Sequence, residues 1–238
     1  VTAPGDPVSG HVGGPLQHIK AKLRDIPEMN YLSTNETPEG EICFYGSSIM
    51  PNYFKNQEKT AESIKNGWLH TGDVGRVFPN GAIKVIDRAK NIFKLSQGEY
   101  IAPEKLENVF VQSEFVGQVW IYGDSLRDYL VGFIVVEPAV LKKVLGEGKD
   151  DFEVTDDLLA AETTKQTVLN SLLKLAEANK FNSLEKPKQI TLLPKAMNEL
   201  NPDLFTPTMK LKRNVAKEFW NEQIAKMYDM PPLKIKLE

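Results

Sequence analysis

The sequence predicts an α+β fold in two parts, a β-rich first part and a small α+β second part joined by a hinge. Three observations carry this reading. Up to about residue 87, apolar and polar residues alternate in short runs punctuated by Gly, Pro and Asn, the period of half-buried strands. Beyond Lys90, helix-period stripes alternate with apolar runs such as YLVGFIVV (Tyr129 to Val136), the pattern of a central strand covered on both sides. Between the two lies the charged joint Asp87-Arg88-Ala89-Lys90, flanked by the strand patterns AIKVID and IFKL. A domain boundary is placed there, giving parts 1–87 and 88–238.

Taken in order, Val1 to Pro15 is rich in Pro and Gly and reads as loop. HIKAKL alternates as a half-buried strand, Asn30 to Gly40 is a polar turn region, and Glu41 to Ser48 is the next strand. Glu58 to Asn66 reads as a short helix closed by Asn66-Gly67, because Gly tolerates the left-handed conformation of a helix C-cap. Val74 to Asp87 reads as two strands joined at Asn80-Gly81, a strong hairpin signal. Pro103 suits the first position of a helix, with Leu106, Val109 and Phe110 on one face. Val119 to Tyr122 and Tyr129 to Val136 are strands, and Pro138 to Leu145 is a helix ending at Gly146. The acidic run Gly146 to Asp157 reads as a mobile surface loop. Thr164 to Phe181 forms a helix with a broad apolar face (Val168, Leu169, Leu172, Leu173, Leu175, Ala176). Gln189 to Leu193 is one more strand, and Ala216, Trp220, Ile224 and Met227 mark a closing amphipathic helix. No internal repeat is present.

In 238 residues, 29 Lys and Arg stand against 32 Asp and Glu, a net charge of -3. No overall field therefore draws the chain to nucleic acid or to an anionic membrane. The length allows one or two domains and a sizeable core. Cys43 is the only cysteine, which excludes an internal disulfide and is typical of a reducing compartment. Within EICFYG it reads as a buried, inert thiol. No apolar run approaches the ~20 residues needed to span a bilayer. VTAPGDPVSG lacks the basic start and apolar stretch of a signal peptide, and a start at Val1 rather than Met is expected of an excised segment. The expected location is cytoplasmic, or peripheral on the cytosolic face of an intracellular membrane.

The stretch Gly67 to Leu106 (GWLHTGDVGRVFPNGAIKVIDRAKNIFKLSQGEYIAPEKL) gathers most residues that could do chemistry. Asp73 follows Thr71 and Gly72 in what reads as a turn. Its carboxylate can grip two vicinal hydroxyls, or simply stabilise its own turn. Arg88 has a surface ion pair with Asp87 within reach, and Lys90 sits where a joint can absorb a large backbone rotation. Lys94 is a strand lysine beside the joint. Gly98, in SQGEY, forms either a plain turn or a close approach to a ligand, and the residues alone do not choose. Much later, TPTMKLKR (Thr206 to Arg213) places three basic residues between a Pro-broken loop and a helix start. His11, His18 and His70 lack metal-ligand spacing, and one cysteine makes no zinc set, so no metal-binding residue is expected. His70 reads as packed or turn-capping. No GxSxG, GxxxxGK[ST] or GxGxxG occurs, so no phosphate cradle is encoded locally.

With these residues the chain resembles the adenylate-forming (AMP-binding) enzymes, and within them the long-chain fatty acyl-CoA synthetases, over roughly their last third. The resemblance implies that 1–87 is the β-rich end of the large N-terminal AMP-binding domain, and 88–238 the mobile C-terminal lid. It implies that Asp73 and Arg88 hold the ribose and that the lid swings about Lys90. Lys94 and Gly98 would serve the thioester step, the Gly98 loop lying against the pantetheine arm. Lys210 would be the catalytic lysine. The Gly usual before that lysine is Met209 here, a departure that fits the long-chain branch. Lys212 and Arg213 are weaker candidates for the CoA phosphates. The implied activity joins a fatty acid to CoA through an acyl-adenylate, with ATP, Mg2+ and CoA taking part and AMP and pyrophosphate released. The partner implied is the remainder of the N-terminal domain, which in the family carries the phosphate loop, adenine pocket and most of the acyl tunnel. The chain alone is expected to be inactive. Two alternatives stay open: a ligase adenylating another carboxylic acid, and a non-catalytic interaction module that keeps the fold.

Overall fold

A ten-residue strand organises the first of two units into which the chain divides, Val1–Ile92 and Phe93–Glu238. The computed structural model describes Thr2, residues 10–146 and residues 153–233. In the first unit, β1 (Ile19–Arg24), β2 (Glu39–Gly46), β3 (Ile64–Lys65), β4 (Trp68–Val77) and β5 (Ile83–Arg88) form one antiparallel sheet. Strand β4 pairs along one edge with β2 and along the other with β3 and β5, placed end to end. Helix α1 (Gln57–Ser63) precedes β3 and is opened by Asn56, whose side chain accepts from the Lys59 amide at 2.9 Å. Ile42, Cys43, Val74, Ala82 and Ile83 are buried between strands.

Several expectations are met here, including the strand in HIKAKL and the hairpin at Asn80-Gly81, where β4 turns into β5. Two are corrected. Asn66-Gly67 does not close a helix: α1 stops at Ser63, because Ile64 is already extended. Asn66 and Gly67 instead take φ 51 and 78 and turn the tight hairpin that pairs Lys65 with Trp68. Thr71-Gly72-Asp73 is not a turn either but lies inside β4, as a bulge.

The second unit opens with a small hairpin, β6 (Phe93–Lys94) and β7 (Tyr100–Ile101), so the strand expected in IFKL is only two residues long. Helix α2 (Pro103–Phe110) follows, then β8 (Val116–Tyr122), β9 (Leu130–Val136) and α3 (Pro138–Leu145). Helices α4 (Asp156–Ala160) and α5 (Glu162–Ala178) lead to β10 (Pro187–Leu193), and α6 (Met197–Leu200), α7 (Arg213–Phe219) and α8 (Asn221–Asp229) complete the unit. Part of the expected acidic loop, residues 147–152, lies outside the described residues, as do residues 3–9 of the expected N-terminal loop.

Strand β9 is central, antiparallel to β8 and parallel to β10. All seven of its residues are buried, because alternate side chains point to opposite faces and both faces are covered. Leu130, Ile134 and Val136 join Leu106 and Phe110 of α2, Leu141 of α3 and the α5 stripe in one core. Val131, Phe133 and Val135 join Met197, Ala216, Trp220, Ile224 and Met227 in the other. The closing helix expected through Ala216 and Met227 is two helices, interrupted at Trp220 (φ -102, ψ 19). Trp220 stacks on Phe133 at 4.9 Å between ring centroids and packs on Trp120 at 5.3 Å. Aromatic packing of this kind dominates core energetics, and here it lies at the break.

Candidate active site

The β4 bulge sets out the polar residues of the first unit. On β2, Glu41 and Cys43 pair with Val74 and His70, so Ile42 stands where β4 presents Thr71, Gly72 and Asp73. Gly72 takes φ +72, and a Cβ there would meet nothing within 4 Å, so its constraint is conformational rather than steric. On the far edge, β3 pairs with β4 only as far as Leu69 and β5 ends with Arg88 opposite Asp73, so neither strand pairs with residues 70–72.

Asp73 stands opposite Arg88 across the β4–β5 pair, and Arg88 Nε lies 3.2 Å from Asp73 Oδ1. Their side chains are 30% and 48% exposed, so both polar edges face solvent. The expected partner of Arg88, Asp87, is fully buried instead; adjacent strand residues point to opposite faces. The Asp87 carboxylate accepts the backbone N–H of Arg88 at 2.6 Å. Lys90 is exposed in a single 3-10 turn, Ala89–Asn91, and so falls within the first unit.

Beneath the bulge lies a residue that sequence reading passed over. Glu41, 5% exposed, receives Gly72 N–H on Oε1 at 3.0 Å. Its Oε2 receives Arg24 Nε at 2.6 Å and His70 Nδ1 at 3.0 Å. Burial works to raise this carboxyl, but the hydrogen bonds from His70, Arg24 and Gly72 outweigh it and hold the group below its ordinary value. The available signal was an acid in the otherwise apolar strand run EICFYG. His70 is packed, as expected, and Cys43 is wholly buried; burial, with the Glu41 charge nearby, pushes its thiol up to about 11.

Glu41, Cys43 and His70 also bring a carboxylate oxygen, a sulfur and an imidazole nitrogen within 4.8 Å of one another. This was unexpected, because the three are spread over 30 positions and meet only through strand pairing. The set does not suit Mg2+, which takes oxygen ligands. A softer cation would compete with the Arg24 guanidinium already on the same carboxylate oxygen. Of the three, Glu41 hydrogen-bonds the bulge, at the Gly72 amide.

In the second unit, Lys94 and Gly98 share the β6–β7 hairpin. Gly98 (φ 93) donates its N–H to Leu95 O at 2.9 Å, and a Cβ there would sit 3.7 Å from Lys94 Cε. The loop is tied down by Ser96 N–H to Arg127 O at 3.0 Å and Gln97 Nε2 to Asp128 O at 2.9 Å. Lys210 occupies a separate tight turn closed by the Phe205–Leu211 bridge, with Thr206 N–H donating to Lys210 O at 2.9 Å. Met209 takes φ +56, the left-handed conformation that glycine adopts without strain and an L-residue reaches at some cost. Lys210 itself is exposed. Arg213 does not offer itself to phosphates: it is held by Glu107 through two hydrogen bonds, at 2.9 and 2.6 Å. The fold thus joins Asp73 with Arg88 and Lys94 with Gly98, and sets Lys210 on its own turn.

Comparison with solved structures places this architecture. It is similar to the adenylation domain of a carboxylate reductase from Mycobacterium chelonae, with TM-score 0.76 and 29% identity over 90% of this chain and 31% of that one. It is similar as well to the A domain of a carboxylic acid reductase from Segniliparus rugosus in complex with AMP and a co-purified carboxylic acid (TM-score 0.75, 31% identity, 89% of this chain, 32% of that one). The chain belongs with the adenylate-forming enzymes. No protein-family model matches it. Among curated proteins it is 44% identical to long-chain-fatty-acid–CoA ligase 5 of Rattus norvegicus over 96% of its own length, and 44% identical to the peroxisomal long chain acyl-CoA synthetase 7 of Arabidopsis thaliana over 94%. Its relatives at this identity are long-chain acyl-CoA synthetases, and the chain spans about a third of their length (33% and 32%).

Proposed function

We propose that this chain supplies the ribose-binding edge and the lid of a long-chain-fatty-acid–CoA ligase. The observation that carries the reading is the 44% identity, over nearly the whole chain, to proteins named for that activity. In the first step a fatty carboxylate oxygen attacks the α-phosphorus of ATP and pyrophosphate leaves, forming the acyl-adenylate. In the second, the CoA thiolate attacks the acyl carbonyl and AMP leaves.

The solvent-facing edges of Asp73 and Arg88 suit a ribose: the carboxylate accepts from its hydroxyls and the guanidinium donates to them. Lys210 would offer its compact ammonium to phosphoryl oxygens as charge develops in the first step only. Lys90 is the swivel about which the chain beyond it exchanges roles, bringing Lys94 and the Gly98 loop to the thioester step in place of Lys210. The exposed 3-10 turn around Lys90 supports that role. Mg2+ would accompany ATP as counter-ion to its phosphates, and no donor set among the described residues fits it. The phosphate loop and acyl tunnel belong to the remainder of the N-terminal domain, so the 238-residue chain is inactive by itself and binds ATP weakly. Among the described residues no helix is long and apolar enough to cross a membrane. A cytoplasmic protein, or one peripheral on an intracellular membrane, fits this reading.

A second reading, adenylation of another carboxylic acid, is favoured by the likeness to carboxylic acid reductases, though at lower identity (29–31%). A panel of acids assayed with the full-length protein separates the two. The principal test is Lys210→Ala in that protein. Adenylation should fall by roughly 10²–10³, while thioester formation from supplied acyl-adenylate stays near wild type. Equal loss of both half-reactions would exclude the assigned role.

A further inference from the structure

We propose that Glu41 is the positioning residue that aims Asp73, an inference that rests on the nucleotide-binding reading of Asp73 given above. A bulge inserts residues whose N–H groups lose their ladder partners, and buried N–H groups must find others. Here two side chains take them up. Glu41 Oε1 accepts the Gly72 N–H at 3.0 Å, and Thr71 Oγ1 accepts the Asp73 N–H at 3.0 Å. Thr71 Oγ1 in turn donates to the carbonyl of Ile42 at 2.8 Å, so both fastenings end on β2. The main chain on the N-terminal side of Asp73 is therefore clamped amide by amide, leaving its carboxylate to extend to Arg88 and solvent.

The chemistry calls for a carboxylate at position 41. Three donors converge on its two oxygens, from Gly72, Arg24 and His70. An ionised carboxyl accepts on both oxygens, whereas an amide of the same shape must turn an NH2 toward one set of donors. Arg24 and His70 fix the rotamer from one side, so the other oxygen stays under Gly72. Glu41 is 5% exposed and meets the bulge at the Gly72 amide, so it acts through Asp73.

The test uses the full-length protein and compares kcat/KM for ATP with that for dideoxy-ATP, which lacks both ribose hydroxyls. Asp73→Ala should collapse that preference toward unity. Glu41→Gln should lower it about tenfold, through the KM for ATP, with kcat at saturating ATP and the KM for fatty acid unchanged; misplacements of this scale carry such costs. Thr71→Val should act in the same direction, and it decides alone if Glu41→Gln does not fold. The double variant Glu41→Gln/Asp73→Ala should be no worse than Asp73→Ala. Arg76→Gln, which removes an ion pair to Glu39 across the same two strands but no contact to Glu41 or the bulge, should leave the preference intact. Wild-type preference in Glu41→Gln and Thr71→Val, with Asp73→Ala impaired, overturns the positioning role alone. An equal loss in Arg76→Gln does so too. Wild-type preference in Asp73→Ala overturns the nucleotide reading, and this inference with it.

Discussion

Arg88 reaches across from β5 to place its Nε 3.2 Å from the Oδ1 of Asp73, its register partner on β4. Exposed ion pairs contribute only about 0–1 kcal/mol to stability, so this one matters chiefly through what it presents. Arg88→Ala should leave the melting temperature almost unchanged. In the full-length protein it should weaken ATP binding by about tenfold or more, since a hydrogen bond to a charged group is worth roughly 1.5–3 kcal/mol. Parallel thermal melts and nucleotide titrations check both halves; a large melting shift without a binding change would reassign the pair to structure.

The acid limb of stability should report on Glu41. Its carboxyl is lowered in the folded chain, so its stabilising effect is fully present above the ordinary value of 4.5. That effect is lost as pH falls below 4.5 and through the lowered folded value. Urea midpoints measured from pH 6 downward should therefore fall less steeply in Glu41→Gln than in wild type. Identical slopes would mean that the carboxyl does not titrate with folding.

In the second unit, Arg213 holds Glu107 in a two-pronged pair with side chains only 19% and 15% exposed. Glu107 Oε1 also accepts the Ile121 N–H at 2.8 Å, so the pair ties α7 to α2 and β8. Arg213→Ala should cost about 2 kcal/mol, between the values for exposed and fully buried pairs. Urea unfolding followed by Trp fluorescence would show it. CoA affinity in the full-length protein should be unchanged.

Cys43 should resist alkylation. It has no exposed surface, and its thiol is raised to about 11, so little thiolate forms below pH 9. Labelling with iodoacetamide should proceed only after denaturation; rapid labelling of folded protein would contradict the packing around β2.

What the sequence made legible is what short-range rules decide. Pro103 and Pro138 open helices where expected, and Asn80-Gly81 turns a hairpin, because each fixes its own backbone locally. Asn66-Gly67 misled for the same reason. A left-handed pair serves a helix end or a hairpin equally well, and only the pairing of Lys65 with Trp68 selects between them. Ala216, Trp220, Ile224 and Met227 keep helical spacing straight through the break at Trp220, where long-range packing on Phe133 and Trp120 lies. In the candidate site, Asp73, Arg88 and Lys210 stood out by residue type and motif. Glu41 did not, because its hold on Gly72, 31 positions away, exists only once β2 and β4 have paired.

Strand β9 lends its side chains alternately to two separate cores, so neither helical layer can loosen without disturbing the backbone the other rests on. The layers of the second unit are therefore energetically coupled and should melt as one cooperative block. Hydrogen exchange would register this as a plateau: amides from Leu130 to Val136 should exchange together, only when the unit as a whole opens, and more slowly than those of the β6–β7 hairpin.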